Sequence, residues 1–158
     1  MIKLSIGDDF IESAKVLQNT DFLREQNPHL VNSFQRTTIS RAYYGIFHLA
    51  KDFAYRFSDV LKVKKFSDTE DSIHGNLRIF YERTSLNLKK GIKEKEQFEI
   101  IADNLNTLRK TRNSCDYHAS ISYNLNSKTK QIISIMNETQ EELKKLHLWL
   151  DTLESQIK

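Results

Sequence analysis

Apolar residues recur along the chain at three- and four-residue steps, the spacing that lines one face of an α-helix. Five segments carry this pattern. The first runs from Ile6 to Gln18, with Ile6, Phe10, Ala14 and Leu17 on one stripe and Asp8 and Asp9 near its positive end. Pro28, the one proline, suits the start of the next helix. That segment, Leu30 to Phe57, has the strongest pattern: Ile39, Ala42, Tyr43, Ile46, Ala50, Phe53, Ala54 and Phe57 share a face. The basic stretch Lys62 to Ser72 reads as a loop. A third helix is expected over Ile73 to Leu88, with Leu77, Phe80, Tyr81 and Thr84 inward. The charged run Lys89 to Glu96 reads as a second loop, with Gly91 as a helix stop. A fourth helix starting near Gln97 carries Ile101, Leu105 and Leu108. A fifth runs from Ser127 almost to the last residue and turns Ile132, Met136, Leu143, Leu146, Leu150 and Leu153 inward. The expected fold is all-α, an antiparallel bundle of about five helices with ~70% helix, about twice the ordinary share.

Composition narrows the class further. Four glycines and one proline in 158 residues leave too few turn formers for a sandwich or barrel. With 39% hydrophobic and 28% charged residues, the chain has enough apolar surface to pack as one domain over 1–158. No repeat or interdomain linker interrupts it. The lone Cys115 excludes an internal disulfide, and no Cys/His cluster has zinc spacing, so no metal or other cofactor is expected. The opening residues MIKLSIGDDF carry acids where a signal peptide needs an apolar core. No apolar run approaches the ~20 residues of a membrane span, so a cytoplasmic setting without membrane contact is expected. The net charge of +3 permits an anionic partner without demanding one.

The chemically informative stretch is Leu105 to His118. Following the stripe through Ile101, Leu105 and Leu108, the next inward position is Arg112, which breaks the apolar pattern. A guanidinium cannot shed its charge, so at an inward position it needs a partner. Asp116, one turn later, could supply one, as an ion pair at the bundle edge. Spacing alone favours this pair over a chemical role for the arginine. His118 lies six residues beyond Arg112, about 600° of helical rotation, so one unbroken helix does not aim both at one spot. They converge where the helix ends near Tyr117 or where a second subunit completes the site. Cys115 reads as core filling rather than as a nucleophile.

Two blocks of this chain resemble the HEPN superfamily (higher eukaryotes and prokaryotes nucleotide-binding), in particular its small stand-alone prokaryotic members. Ser40-Arg41-Ala42-Tyr43-Tyr44-Gly45-Ile46-Phe47-His48 is similar to the Ser-Arg-Ala-Tyr-Tyr-Ala-hydrophobic-Phe-His helix of those proteins. Leu108 to His118 is similar to the family signature of Arg, four to six residues and His, here Arg112 and His118 with five between, and has Asn113 straight after the Arg. Ser72-Ile73-His74-Gly75 is similar to a lesser family feature before the third helix.

The resemblance implies a helical homodimer whose paired motifs meet across the interface and, in active members, a metal-independent endoribonuclease. RNA carries its own nucleophile, the 2′-hydroxyl. Arg112 would clamp the scissile phosphate, His118 would act as general base or acid, and Asn113 would orient sugar or phosphate or bond across the dimer. Asp116 and Tyr117 would support the site structurally. Arg41, Tyr44 and His48 would line the RNA groove, or else pack against the fourth helix. Lys62, Lys64 and Lys65, with Lys89, Lys90, Lys93 and Lys95, are solvated loop charges or guides for RNA phosphates. Two functions stay open. One is an RNA-cleaving toxin or stress and phage-defence effector, restrained by a partner such as a nucleotidyltransferase antitoxin. The other is a non-catalytic module that binds a nucleotide or a partner protein, again such as a nucleotidyltransferase. Relatives whose tyrosine is modified carry it two residues past the His; here Ser120 stands there, a departure from that pattern.

Overall fold

The computed structural model describes residues 5–19, 25–26, 28–63, 73–117 and 125–157, with Pro28, Asp116 and Tyr117 as backbone alone; 93% of these residues are helical and none forms a strand. The helices are α1 (Ile6–Asn19), α2 (Val31–Leu61, led in by a 3₁₀ turn at Pro28–Leu30), α3 (Ile73–Asn87), α4 (Glu94–Tyr117) and α5 (Leu125–Ile157). Three of the helices are longer than their apolar stripes. Thus α2 continues to Leu61, α5 begins at Leu125, and α4 begins at Glu94 rather than Gln97. Glu94, Lys95 and Glu96 are good helix formers, so the charged run that reads as loop contains the first turn of α4. Gly91 sits in the preceding turn at φ +96°, a conformation that favours glycine.

Helix ends follow local chemistry. The Asp8 backbone N–H donates to Ser5 Oγ at 3.1 Å while the Ser5 N–H donates to Asp8 Oδ2 at 3.2 Å, a reciprocal capping box that starts α1. At the other end of α2, Lys62 adopts a left-handed conformation and its N–H closes onto the Ser58 carbonyl.

The burial pattern of α2 matches its stripe: all eight of its inward positions are buried. In α1 the expected stripe is rotated. Ile6 is 64% exposed, and Gly7, Ile11 and Ala14 are the buried residues. The cause is a close crossing of α1 over α2 at two glycines. A Cβ on Gly45 would lie 2.6 Å from Ile11 Cγ1, and one on Gly7 would lie 2.9 Å from the Gly45 carbonyl oxygen. On α3, Leu77 and Tyr81 are buried, whereas Phe80 and Thr84 are half-buried; Leu153 on α5 is half-buried too.

Contacts between helices also correct the expected antiparallel arrangement. Three pairs of successive helices, α1 with α2, α3 with α4 and α4 with α5, do run antiparallel: Gly7 meets Leu49 while Phe10 meets Tyr44, Gly75 lies by Arg109 while Ser85 meets Glu99, and Phe98 meets Trp149 while Asn104 meets Thr139. By contrast, α3 runs parallel to α2, since Tyr43 meets His74 and Phe53 meets Tyr81. So does α5, with Gln35 at Asn126 and Arg56 at Asp151. The start of α3 therefore lies beside Tyr43, about 27 Å back along the bundle from Leu61. The core between these helices is strongly aromatic, with Phe53, Phe57, Tyr81 and Phe98 in mutual ring contact.

Candidate functional site

The apolar face of α2 changes character at Tyr43 and Tyr44. Tyr43 is buried, and Tyr44, one step round the helix, is half-buried between two other helices. On one side stands Phe10 of α1, its ring centroid 5.9 Å from that of Tyr44. On the other stands Arg112 of α4, whose guanidinium carbon is 5.0 Å from the Tyr44 ring centre and 5.8 Å from that of Tyr43. The arginine that interrupts the apolar stripe of α4 is thus laid over aromatic faces. Its Nη1 also donates to Asn113 Oδ1 at 3.4 Å.

The start of α3 adds His74. The Tyr43 hydroxyl and His74 Nδ1 share a short hydrogen bond, and the imidazole centroid lies 4.4 Å from that of Phe47. Burial pushes the Tyr43 hydroxyl well above the ordinary tyrosine range, against the opposing pull of Arg109 and Arg112, so it keeps a proton to donate. Burial also holds His74 below the usual histidine value, helped by the positive charges of Arg109 and Arg112 and by His48 and Lys51. When the hydroxyl donates, Nδ1 accepts, and the neutral ring carries its proton on Nε2.

A groove of about 590 Å³ opens on the other side of Tyr44. It is lined by Phe10, Arg36, Thr37, Ser40, Arg41, Tyr44 and His48, a set with cations and rings and no carboxylate. Arg41 holds its guanidinium 5.0 Å from the Phe10 ring centre, and His48 stacks parallel to Phe10 at 5.7 Å. Burial and Lys51 lower the His48 pKa, and Asp52 acts the other way. Arg36 donates to the Cys115 carbonyl and so ties the last turn of α4 to α2.

Arg112, Asn113, Arg41, Tyr44 and His48 therefore fall on one region, with Tyr44 as its hinge. Among the described residues, Tyr44 meets α4 through Arg112, whereas Arg41 and His48 pack on Phe10 of α1 rather than in the expected packing against the fourth helix. Cys115 is buried, as a core-filling residue should be. His118 lies outside the described residues, as do the side chains of Asp116 and Tyr117, and so do Lys64, Lys65 and Ser120. Lys62, Lys89, Lys90 and Lys93 are exposed and Lys95 is half-buried. Sequence spacing assigned no role to Arg109 or Arg36, and it placed Phe10 on the inward stripe of α1 rather than in the site. Arg109 does carry a signal, since it stands three residues before Arg112 and shares its side of the helix. Among the described residues, no group of three or more His, Cys, Asp or Glu could hold a metal ion, and no helix is long and apolar enough to cross a membrane. Comparison with family models, curated proteins and solved structures gives no match for this chain.

Proposed function

We propose that the chain is a metal-independent endoribonuclease of the HEPN kind, a toxin or defence effector of the cytoplasm that works as a homodimer. The observation that supports this most directly is Arg112, held 5.0 Å from the Tyr44 ring among basic side chains on a half-buried surface. Strand scission needs the 2′-hydroxyl deprotonated, the leaving oxygen protonated and the added phosphorane charge stabilised. In this reading Arg112 offers paired donors to the phosphate, His118 moves the proton, and Asn113 helps hold the guanidinium in place. The two copies of the motif face each other across a two-fold axis, which supplies the second arginine and histidine. A nucleotidyltransferase partner would restrain the activity.

The test is incubation of the purified protein with cellular RNA in EDTA. Products ending in 2′,3′-cyclic phosphate and 5′-hydroxyl are expected, and they should vanish in His118→Ala. Cleavage that EDTA abolishes and magnesium restores would contradict this mechanism. The groove beside Phe10 favours a second reading. Its volume of about 590 Å³ suits a mononucleotide, and its lining offers cations and rings together. A chain that binds mononucleotides there, and cleaves no RNA, is a nucleotide-binding module instead.

A further inference from the structure

The positive charges of three side chains from two helices reach His74. From α4 come Arg109 and Arg112, and from α2 comes Lys51, whose Nζ lies over the Phe47 ring at 5.5 Å. The Arg109 guanidinium reaches the start of α3 itself, with Nη1 3.8 Å from where a Cβ on Gly75 would stand. The other groups around the imidazole are Tyr43, Tyr44, Phe47 and His48, all from α2. Among the described residues, the charges that dominate at His74 are thus all of one sign. An anion seated there is attracted by several of these positive charges at once. An imidazole in this place answers to the anion as well, because a negative charge beside the ring favours its protonated form.

We propose that His74, Arg109 and Arg112 form a phosphate-binding site within one protomer, with Tyr43 as the positioning residue that orients the His74 ring. The proposal rests on the reading of Arg112 as a phosphate ligand and adds two ligands to it. The bound group is a phosphodiester of an RNA backbone or a free phosphate; the chemistry of recognition is the same. Binding takes up a proton at His74, and by linkage it strengthens as pH falls.

The experiment is an NMR titration of the histidine ring protons in the full chain, with the His74 signal among the five histidines identified by its loss in His74→Gln. The probes are a thymidine tetradeoxynucleotide without terminal phosphate and inorganic phosphate. The tetranucleotide has no 2′-hydroxyl, so it cannot be cut, and its diesters do not titrate near neutrality. The expected result is a rise of about one pH unit in the His74 midpoint, which equals about tenfold tighter binding to the protonated form. His74→Gln should remove that tightening, and Arg109→Ala should weaken binding about tenfold. A shift with the tetranucleotide alone points to backbone phosphodiesters, and one with inorganic phosphate alone points to a free phosphate. Either supports the site. A His74 midpoint that stays put with both probes overturns it, and so does a folded Arg109→Ala that binds as well as the wild type. RNA cleavage with an unmoved His74 removes this site and leaves the ribonuclease reading standing; a shifted His74 in a chain that cuts no RNA does the reverse.

Discussion

A guanidinium laid over two phenol rings is not equivalent to an ammonium in the same place. Arg112→Lys keeps the charge but loses the planar fork and the flat face that rests on Tyr44. Cleavage should fall about 10²–10³-fold, the cost of one misplaced donor to a developing charge, while the melting temperature changes little. Single-turnover cleavage and thermal denaturation of the same preparations check both halves. Tyr81 makes a contrasting case away from the site. Its buried hydroxyl donates to the Ala50 carbonyl at 2.7 Å, so Tyr81→Phe should cost about 1 kcal/mol in urea denaturation without changing cleavage. The two residues also differ in how far they can be read from sequence. Arg112 announces itself by breaking an apolar period. The pairing of Tyr43 with His74 joins positions 31 residues apart, and no local pattern encodes it.

At the scale of elements, the crossing of α1 and α2 decides which face of α1 is buried. Gly45→Ala would set a Cβ 2.6 Å from Ile11 Cγ1 and 3.1 Å from the Gly7 carbonyl oxygen. The backbone cannot yield there as a flexible side chain could. The variant should lose about 1–3 kcal/mol by overpacking, although alanine favours helix by about 1 kcal/mol over glycine. Gly75→Ala is the internal control. Its nearest neighbour is the mobile end of Arg109 at 3.8 Å, so the propensity gain should show as stabilisation of up to about 1 kcal/mol. Equilibrium denaturation of the pair separates contact from propensity. The same glycines explain the rotated stripe: an apolar scale gives a glycine no weight, yet here the smallest side chains bring the two helices closest.

For the whole molecule, three histidines give the fold a common pH response. Burial lowers the pKa of His48, His74 and His147, with Lys51, Arg109 and Arg56 as the respective leading positive neighbours. Above the unfolded histidine value of about 6.5 the rings are neutral in both states, and stability is at its full level. As pH falls through that value, the unfolded chain takes up protons first, and stability drops until the folded values are passed. Melting temperatures should therefore decline from pH 7 toward pH 5, and His147→Gln should flatten part of the decline. An unchanged melting temperature across that range would contradict the burial of these rings. Assembly is the other property of the whole. In the proposed function the motif acts in pairs across a two-fold dimer, so light scattering at micromolar concentration should give twice the chain mass. A strict monomer with full cleavage activity would remove the need for a composite site.

Periodicity along the chain by itself determined that this protein is all-helical, where four of its five stripes lie, and that Arg112 is an exception needing a partner. Those properties depend on residues three or four apart, which a helix brings together without help from the rest of the fold. Only the tertiary structure decided that α1 turns Ile11 rather than Phe10 inward and that α3 and α5 run parallel to α2. It also decided that Arg109 and His74 join Arg112 beside Tyr43. Each of these depends on which helices face each other and in which direction. Helical spacing states how much of a face is apolar and leaves open what lies against it. The close glycine crossing and the parallel placement of α3 on α2 supply that choice, and they place the cationic and aromatic groups on one surface.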